Sequence, residues 1–227
     1  MSEELIDLKT KILNVCTDDN LVSFIVFGST ALSAENPNDL DAIVVVKKVD
    51  STLLNLFGIL KESYAKLDVN IYTVEEVKNN ISFYTREFKL EYLSKGVCLF
   101  GDNIFIEQFN KVTNFQYKQS ILIRSIEHLQ LVRQKYLTST LNEDQKTKFL
   151  KKYFLRISKN ILLFKGVFSH SDVNRLAEGE IYNKLIELKL FDAIPQLDIE
   201  VSLFDEFRQI SKALACCKQE LNSLKQL

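Results

Sequence analysis

The stretch from Ser23 to Val46, SFIVFGSTALSAENPNDLDAIVVV, limits the fold more narrowly than any other part of this chain. An apolar run ends at Gly28-Ser29, a polar loop closes on the turn residues Glu35-Asn36-Pro37-Asn38, and a second apolar run opens with Asp39-Leu40-Asp41. Both runs are short, rich in β-branched residues and bounded by turn chemistry, so they read as two strands buried in one core. Successive side chains on a strand alternate between faces. Asp39 and Asp41 should therefore share one face while Leu40 points to the other, and Ile43-Val44-Val45-Val46 anchors the strand.

Two neighbouring carboxylates repel each other, and the pair is costly unless a cation neutralises it. Hard oxygen donors favour Mg²⁺, which is typically held by one or two carboxylates together with substrate phosphates and waters. Just upstream, Gly28 lets the backbone approach a ligand closely. Free N–H groups at a strand-to-helix turn, with the Ser29 hydroxyl, suit a phosphate oxygen. A phosphate grip at Gly28 and Ser29 thus precedes a metal grip at Asp39 and Asp41. Each half alone is an ordinary turn or strand end, and the specificity lies in their combination.

That combination resembles the signature of the nucleotidyltransferase superfamily, the group that includes DNA polymerase beta and the small bacterial and aminoglycoside (kanamycin) nucleotidyltransferases. Phe27, Gly28, Ser29, Asp39 and Asp41 match it, with nine residues between Ser29 and Asp39. The resemblance implies an enzyme that uses Mg²⁺ and a nucleoside triphosphate. It also implies a third acidic residue on a neighbouring strand, completing a metal triad and able to act as base. Asp68, at the start of Leu67-Asp68-Val69-Asn70-Ile71-Tyr72, is assigned to that place. The expected catalytic and metal-binding set is Asp39, Asp41 and Asp68, and the expected nucleotide-binding set is Gly28 and Ser29.

Around these strands the chain reads as α+β: an N-terminal mixed sheet flanked by helices, followed by an all-α helical bundle. Helical spacing runs from Glu3 to Asp18. Strands are expected at about 22–28, 39–46 and 67–72, and a short helix over Thr30 to Ala34. Asp50 or Ser51 can cap a helix, and Thr73 with Glu76 has capping-box spacing. Gly96 to Asp102 reads as a last short strand, resembling the end of the small nucleotidyltransferase domains. The expected catalytic domain is 1–103 and the helical, substrate-binding domain 104–227. Helices are expected over about 104–138 with a break near Thr113-Asn114, over 143–166, 171–190 and 202–224.

The helical half resembles bundles fused to, or encoded beside, small nucleotidyltransferases. One branch of those bundles is ribonucleolytic and carries an arginine and a histidine at a longer spacing. Arg124 and His128 have only three residues between them, so a partly exposed helical pair is the expected reading. In related enzymes a carboxylate from the helical domain can serve as base, and Glu127 is a candidate without a motif. Phe83, Tyr84, Phe88 and Tyr92 are expected in core packing, with lining of a cleft as the alternative. Lys118, Arg124, Arg133, Lys152, Arg156 and Lys159 are expected as solvated charges, of which one or two close over a triphosphate.

With 29 lysine and arginine residues against 30 aspartate and glutamate residues, no bulk basic field favours nucleic acid. Cys16, Cys98, Cys216 and Cys217 lack metal-ligand spacing and read as reduced thiols of a cytoplasmic protein. The acidic N-terminus does not read as a signal peptide, and no apolar run approaches the about 18 residues of a membrane span. The expected reaction is transfer of AMP from ATP to an acceptor hydroxyl, on a small molecule. The alternatives are modification of a protein or RNA, as in antitoxin-like nucleotidyltransferases, and a non-catalytic nucleotide-binding module. Homodimerisation stays open.

Overall fold

The structure is a computed structural model and describes residues 3–17, 19–28, 40–79, 87–138, 140–192 and 199–225. It divides into two compact units, Met1–Val112 and Thr113–Leu227.

In the first unit, α1 (Glu3–Val15) leads into β1 (Leu21–Phe27). Then follow β2 (Leu40–Val46), α2 (Ser51–Ser63), β3 (Leu67–Thr73), α3 (Val74–Lys78), α4 (Glu87–Ser94), β4 (Val97–Gly101) and α5 (Ile104–Asn110). The sheet order is β3-β2-β1-β4. β1 is antiparallel to β2 and β4, whereas β2 and β3 are parallel. A parallel pair needs a crossover, and α2 supplies it. Its start is fixed by Asp50, whose carboxylate accepts from Leu53 N–H at 2.9 Å.

Both faces of the sheet are covered, which is why β1 and β2 are apolar almost without interruption. On one face Phe24, Val26, Leu40, Ala42, Val44 and Val46 meet Leu8 and Ile12 of α1 and Leu53, Phe57 and Leu60 of α2. On the other, Ile25, Phe27, Ile43 and Val45 meet Val77 of α3, Leu90 and Leu93 of α4 and Phe105 of α5. The capping box at α3 forms as its spacing predicts: Glu76 N–H donates to the Thr73 hydroxyl at 3.1 Å, and Thr73 N–H to the Glu76 carboxylate at 2.7 Å.

The first compact unit runs on to Val112 and so includes α5. α5 packs on α4, and its Phe105 is fully buried in the first unit's core. The next helix starts where Thr113 and Gln116 cap each other, Gln116 N–H donating to the Thr113 hydroxyl at 3.2 Å.

The second unit is helical: α6 (Asn114–Thr138), α7 (Glu143–Phe164), α8 (His170–Arg175), α9 (Glu178–Glu187) and α10 (Ile199–Leu224). α7 is central, touching the other four, and buries Phe154, Ile157, Ile161, Leu162 and Phe164. The single helix expected over 171–190 is two, because Leu176 and Ala177 are extended between α8 and α9. Glu220 on α10 accepts from Lys118 of α6 at 2.9 Å and Lys165 just after α7 at 2.5 Å, tying three segments at one carboxylate. The chain is α+β, with a mixed four-stranded sheet and its helices followed by a helical region.

Candidate active site

β1 ends at Phe27, and Gly28 turns the chain with φ of +74°, in the left-handed region that favours glycine. Phe27 pairs with Asp41 across β1 and β2. A Cβ on Gly28 would stand 2.3 Å from Asp41 Oδ2 and 3.2 Å from the Tyr92 hydroxyl. The contact at 2.3 Å cannot stand, so only glycine leaves the Asp41 carboxylate where it is. The backbone conformation and the space above Gly28 thus make the same demand.

Asp41 and Asp68 are register partners on the parallel strands β2 and β3. Neighbouring strands lie about 4.8 Å apart, and partners at one register project to the same face. The two carboxylates therefore stand side by side at the entry ends of their strands, on the face covered by α3, α4 and α5. Asp41 is half-buried and Asp68 exposed. Leu40 turns to the opposite face and is buried in the other core.

Asp39 and Ser29, with Thr30 to Ala34, Phe83 and Tyr84, lie outside the described residues. Among the described residues no group of three His, Cys, Asp or Glu side chains could hold a metal ion. Asp41 and Asp68 contribute two such groups, and the expected third, Asp39, is one of those not described. Two hard carboxylates on adjacent strands, beside a turn where a Cβ would fill the space, are a donor set that fits a divalent cation.

The wall opposite Gly28 is α4. Tyr92 sets its ring edge-on against Phe27, with centroids 5.7 Å apart and planes at 83°. Phe88 is buried, in line with core packing, while Tyr92 is half-buried and brings its hydroxyl to the Gly28 turn. Lys89 Nζ lies 5.7 Å from the centre of the Tyr92 ring and 5.9 Å from that of Phe88.

The helical half contributes less than its motifs invite. Arg124 meets Glu127 at 3.3 Å, so the carboxylate considered as a base is engaged by its own helix. His128 is buried, with its ring and that of Tyr153 T-shaped and centroids 5.2 Å apart, where a partly exposed side chain was expected. Burial pushes the Glu206 carboxyl of α10 up to about 7, against the opposing hydrogen bond from the Tyr182 hydroxyl. Burial and the neighbouring Glu206 likewise raise Tyr182. A cavity of about 400 Å³ in this unit is lined by Val132, Leu150, Phe154, Leu203 and Phe207. It contains neither Asp41 nor Asp68.

A crystal structure of spectinomycin adenyltransferase AAD(9) from Enterococcus faecialis, with ATP and spectinomycin, is similar over 93% of this chain and 100% of that chain. The TM-score is 0.53 and the sequence identity 13%. This chain has the nucleotidyltransferase fold. Two further structures match less closely. A nucleotidyltransferase-like protein from Exiguobacterium sibiricum covers 95% of this chain and 75% of its own at 12% identity and a TM-score of 0.37. A toxin–antitoxin structure, MntA-HpeT, covers 57% of this chain and 94% of its own at 17% identity and a TM-score of 0.29. No protein-family model matches this sequence, and no curated protein matches it either. At this identity the nucleotidyltransferase fold is what the similarity carries. No helix among the described residues is long and apolar enough to cross a membrane.

Proposed function

We propose that this chain is a divalent-metal-dependent nucleotidyltransferase that moves AMP from ATP to a hydroxyl of a small-molecule acceptor. The observation that carries the reading is the pairing of Asp41 with Asp68 at one register, beside a glycine whose Cβ would occupy the carboxylate's place. The fold relative with ATP and spectinomycin supports the choice of nucleotide and of a small acceptor.

In this reading Asp39, Asp41 and Asp68 hold Mg²⁺. When bound, the ion supplies charge neutralisation and makes the leaving pyrophosphate and the acceptor hydroxyl more acidic. Gly28 N–H and Ser29 hold the terminal phosphates, because a glycine at positive φ brings backbone donors up to an anion without an intervening side chain. The acceptor oxygen bonds to the α-phosphorus as the bond to the bridging oxygen of pyrophosphate breaks. Asp68, exposed at the strand end, takes the acceptor proton on its carboxylate. The chain's contribution is positioning and charge, which dominate phosphoryl-transfer catalysis.

The test is incubation of the protein with Mg²⁺ and ATP labelled at the α-phosphate in a cell extract, followed by location of the label. The expected result is a labelled small molecule, with no transfer from γ-labelled ATP. Asp41→Asn should fold normally and lose about 10²–10³ in rate, equivalent to about 3–4 kcal/mol of barrier. Wild-type turnover in that variant would refute the assignment. Label on a protein or RNA would replace the acceptor class and leave the chemistry standing.

A further inference from the structure

We infer that the wedge between α6, α7 and α10 is a binding site for an aromatic carboxylate, its rings set among apolar side chains and its carboxylate on the Arg133 guanidinium. The inference stands apart from the nucleotidyltransferase reading, because every residue it uses belongs to the second unit. The cavity measures about 400 Å³, and small-molecule sites run from roughly 300 to 1,000 Å³. Its inner wall is apolar and packed: Val132, Leu150, Phe154 and Leu203 line it and are all buried. Its mouth is apolar and wet. Leu137 there is 81% exposed and Phe204 65%. A single apolar side chain left in water needs no explanation, but two at the mouth of one cavity make a surface that a ligand can cover.

The lining also specifies the chemistry of that ligand. Tyr136 of α6 and Phe204 of α10 stand T-shaped with centroids 6.2 Å apart, and the Phe154 and Phe207 rings lie 6.1 Å apart. Rings so arranged accept a further ring edge-on or offset, which favours an aromatic body over an aliphatic chain. The ionised side chains of the lining are Arg133, Glu143 and Lys146. Lys146 donates to Glu143 at 2.8 Å, so those two offset each other. The lining is left with one positive charge, that of Arg133, whose guanidinium lies 5.1 Å from the centre of the Phe207 ring. Stacking there keeps the planar fork beside the apolar wall, and such a fork matches the two oxygens of a carboxylate. An uncharged aromatic leaves that fork unused, and a cationic one is repelled by it.

The experiment is calorimetric titration of the full chain with cinnamate and with its uncharged amide, cinnamamide, in the absence of nucleotide. Wild type should bind one equivalent of cinnamate, about tenfold more tightly than the amide. Arg133→Met keeps an unbranched stem on an exposed position. It should lower cinnamate affinity about tenfold while amide affinity stays within about twofold, a split that a general loss of structure would not produce. Arg133→Lys, with the charge but not the fork, should recover part of the loss. Phe204→Ala should weaken both ligands alike, since it removes a ring and no charge. Absence of cinnamate binding in wild type, equal affinity for acid and amide, or an Arg133→Met protein that binds cinnamate as wild type does would each overturn the inference. So would sedimentation showing a wild-type dimer that Phe204→Lys converts to monomer, because a second copy of the chain would then cover the mouth.

Discussion

Replacing Gly28 by alanine tests the site at the point where its geometry is tightest. The new Cβ meets two separate objections. Its backbone would hold φ of +74°, and the left-handed region costs an L-residue roughly 1–2 kcal/mol. It would also stand 2.3 Å from Asp41 Oδ2. That atom is the far end of a half-buried side chain, so the carboxylate is expected to rotate away, at a cost of about 1 kcal/mol for leaving its rotamer. Stability should therefore fall by about 2–3 kcal/mol, read as a lower urea midpoint. The larger consequence is functional. A displaced Asp41 no longer stands beside Asp68, and Mg²⁺-dependent ATP binding should weaken together with transfer, the latter by about 10²-fold. The double variant Gly28→Ala/Asp41→Ala separates the two objections. Without the carboxylate the steric term disappears, and the pair should be less destabilised than the sum of the singles by about 1 kcal/mol. Additive losses, or a Gly28→Ala protein that binds Mg²⁺ and ATP as wild type does, would refute the reasoning.

Three further outcomes follow from the second unit and from the thiols. Glu206 carries a folded-state value of about 7 against an ordinary 4.5, so between those values the unfolded chain binds fewer protons and this group's effect on stability turns unfavourable as pH rises. Glu206→Gln, which can still accept from Tyr182, should raise the melting temperature relative to wild type at pH 8 and change it little at pH 4, as followed by circular dichroism. Glu220 is shifted the other way: burial alone would raise it, but hydrogen bonds from Lys165 and Lys118 prevail and lower it. Glu220→Gln should cost about 1–3 kcal/mol at pH 7 in urea titration, with the difference fading as acid protonates the wild-type carboxylate. Burial pushes the thiols of Cys16 and Cys217 up to about 11 and about 12, whereas Cys216 is exposed. Iodoacetamide at neutral pH should label Cys216 well before Cys16 or Cys217, by peptide mass spectrometry.

The sequence was most informative where side-chain alternation and turn chemistry agreed. Asp41 on one face and Leu40 on the other followed from strand period alone, and the structure places Leu40 in the core between the sheet and helices α1 and α2. The pairing of Asp41 with Asp68 required more than period, because nothing local states that β3 runs parallel beside β2. The polar break at Lys47 to Asp50 and the apolar helix after it make that crossover legible afterwards. That α5 packs into the first unit was harder to read, since it has the composition of the helices that follow it. Its membership is decided by what Phe105 packs against, which is a tertiary fact. His128 went the same way: its spacing from Arg124 said nothing of Tyr153, twenty-five residues on, which covers it.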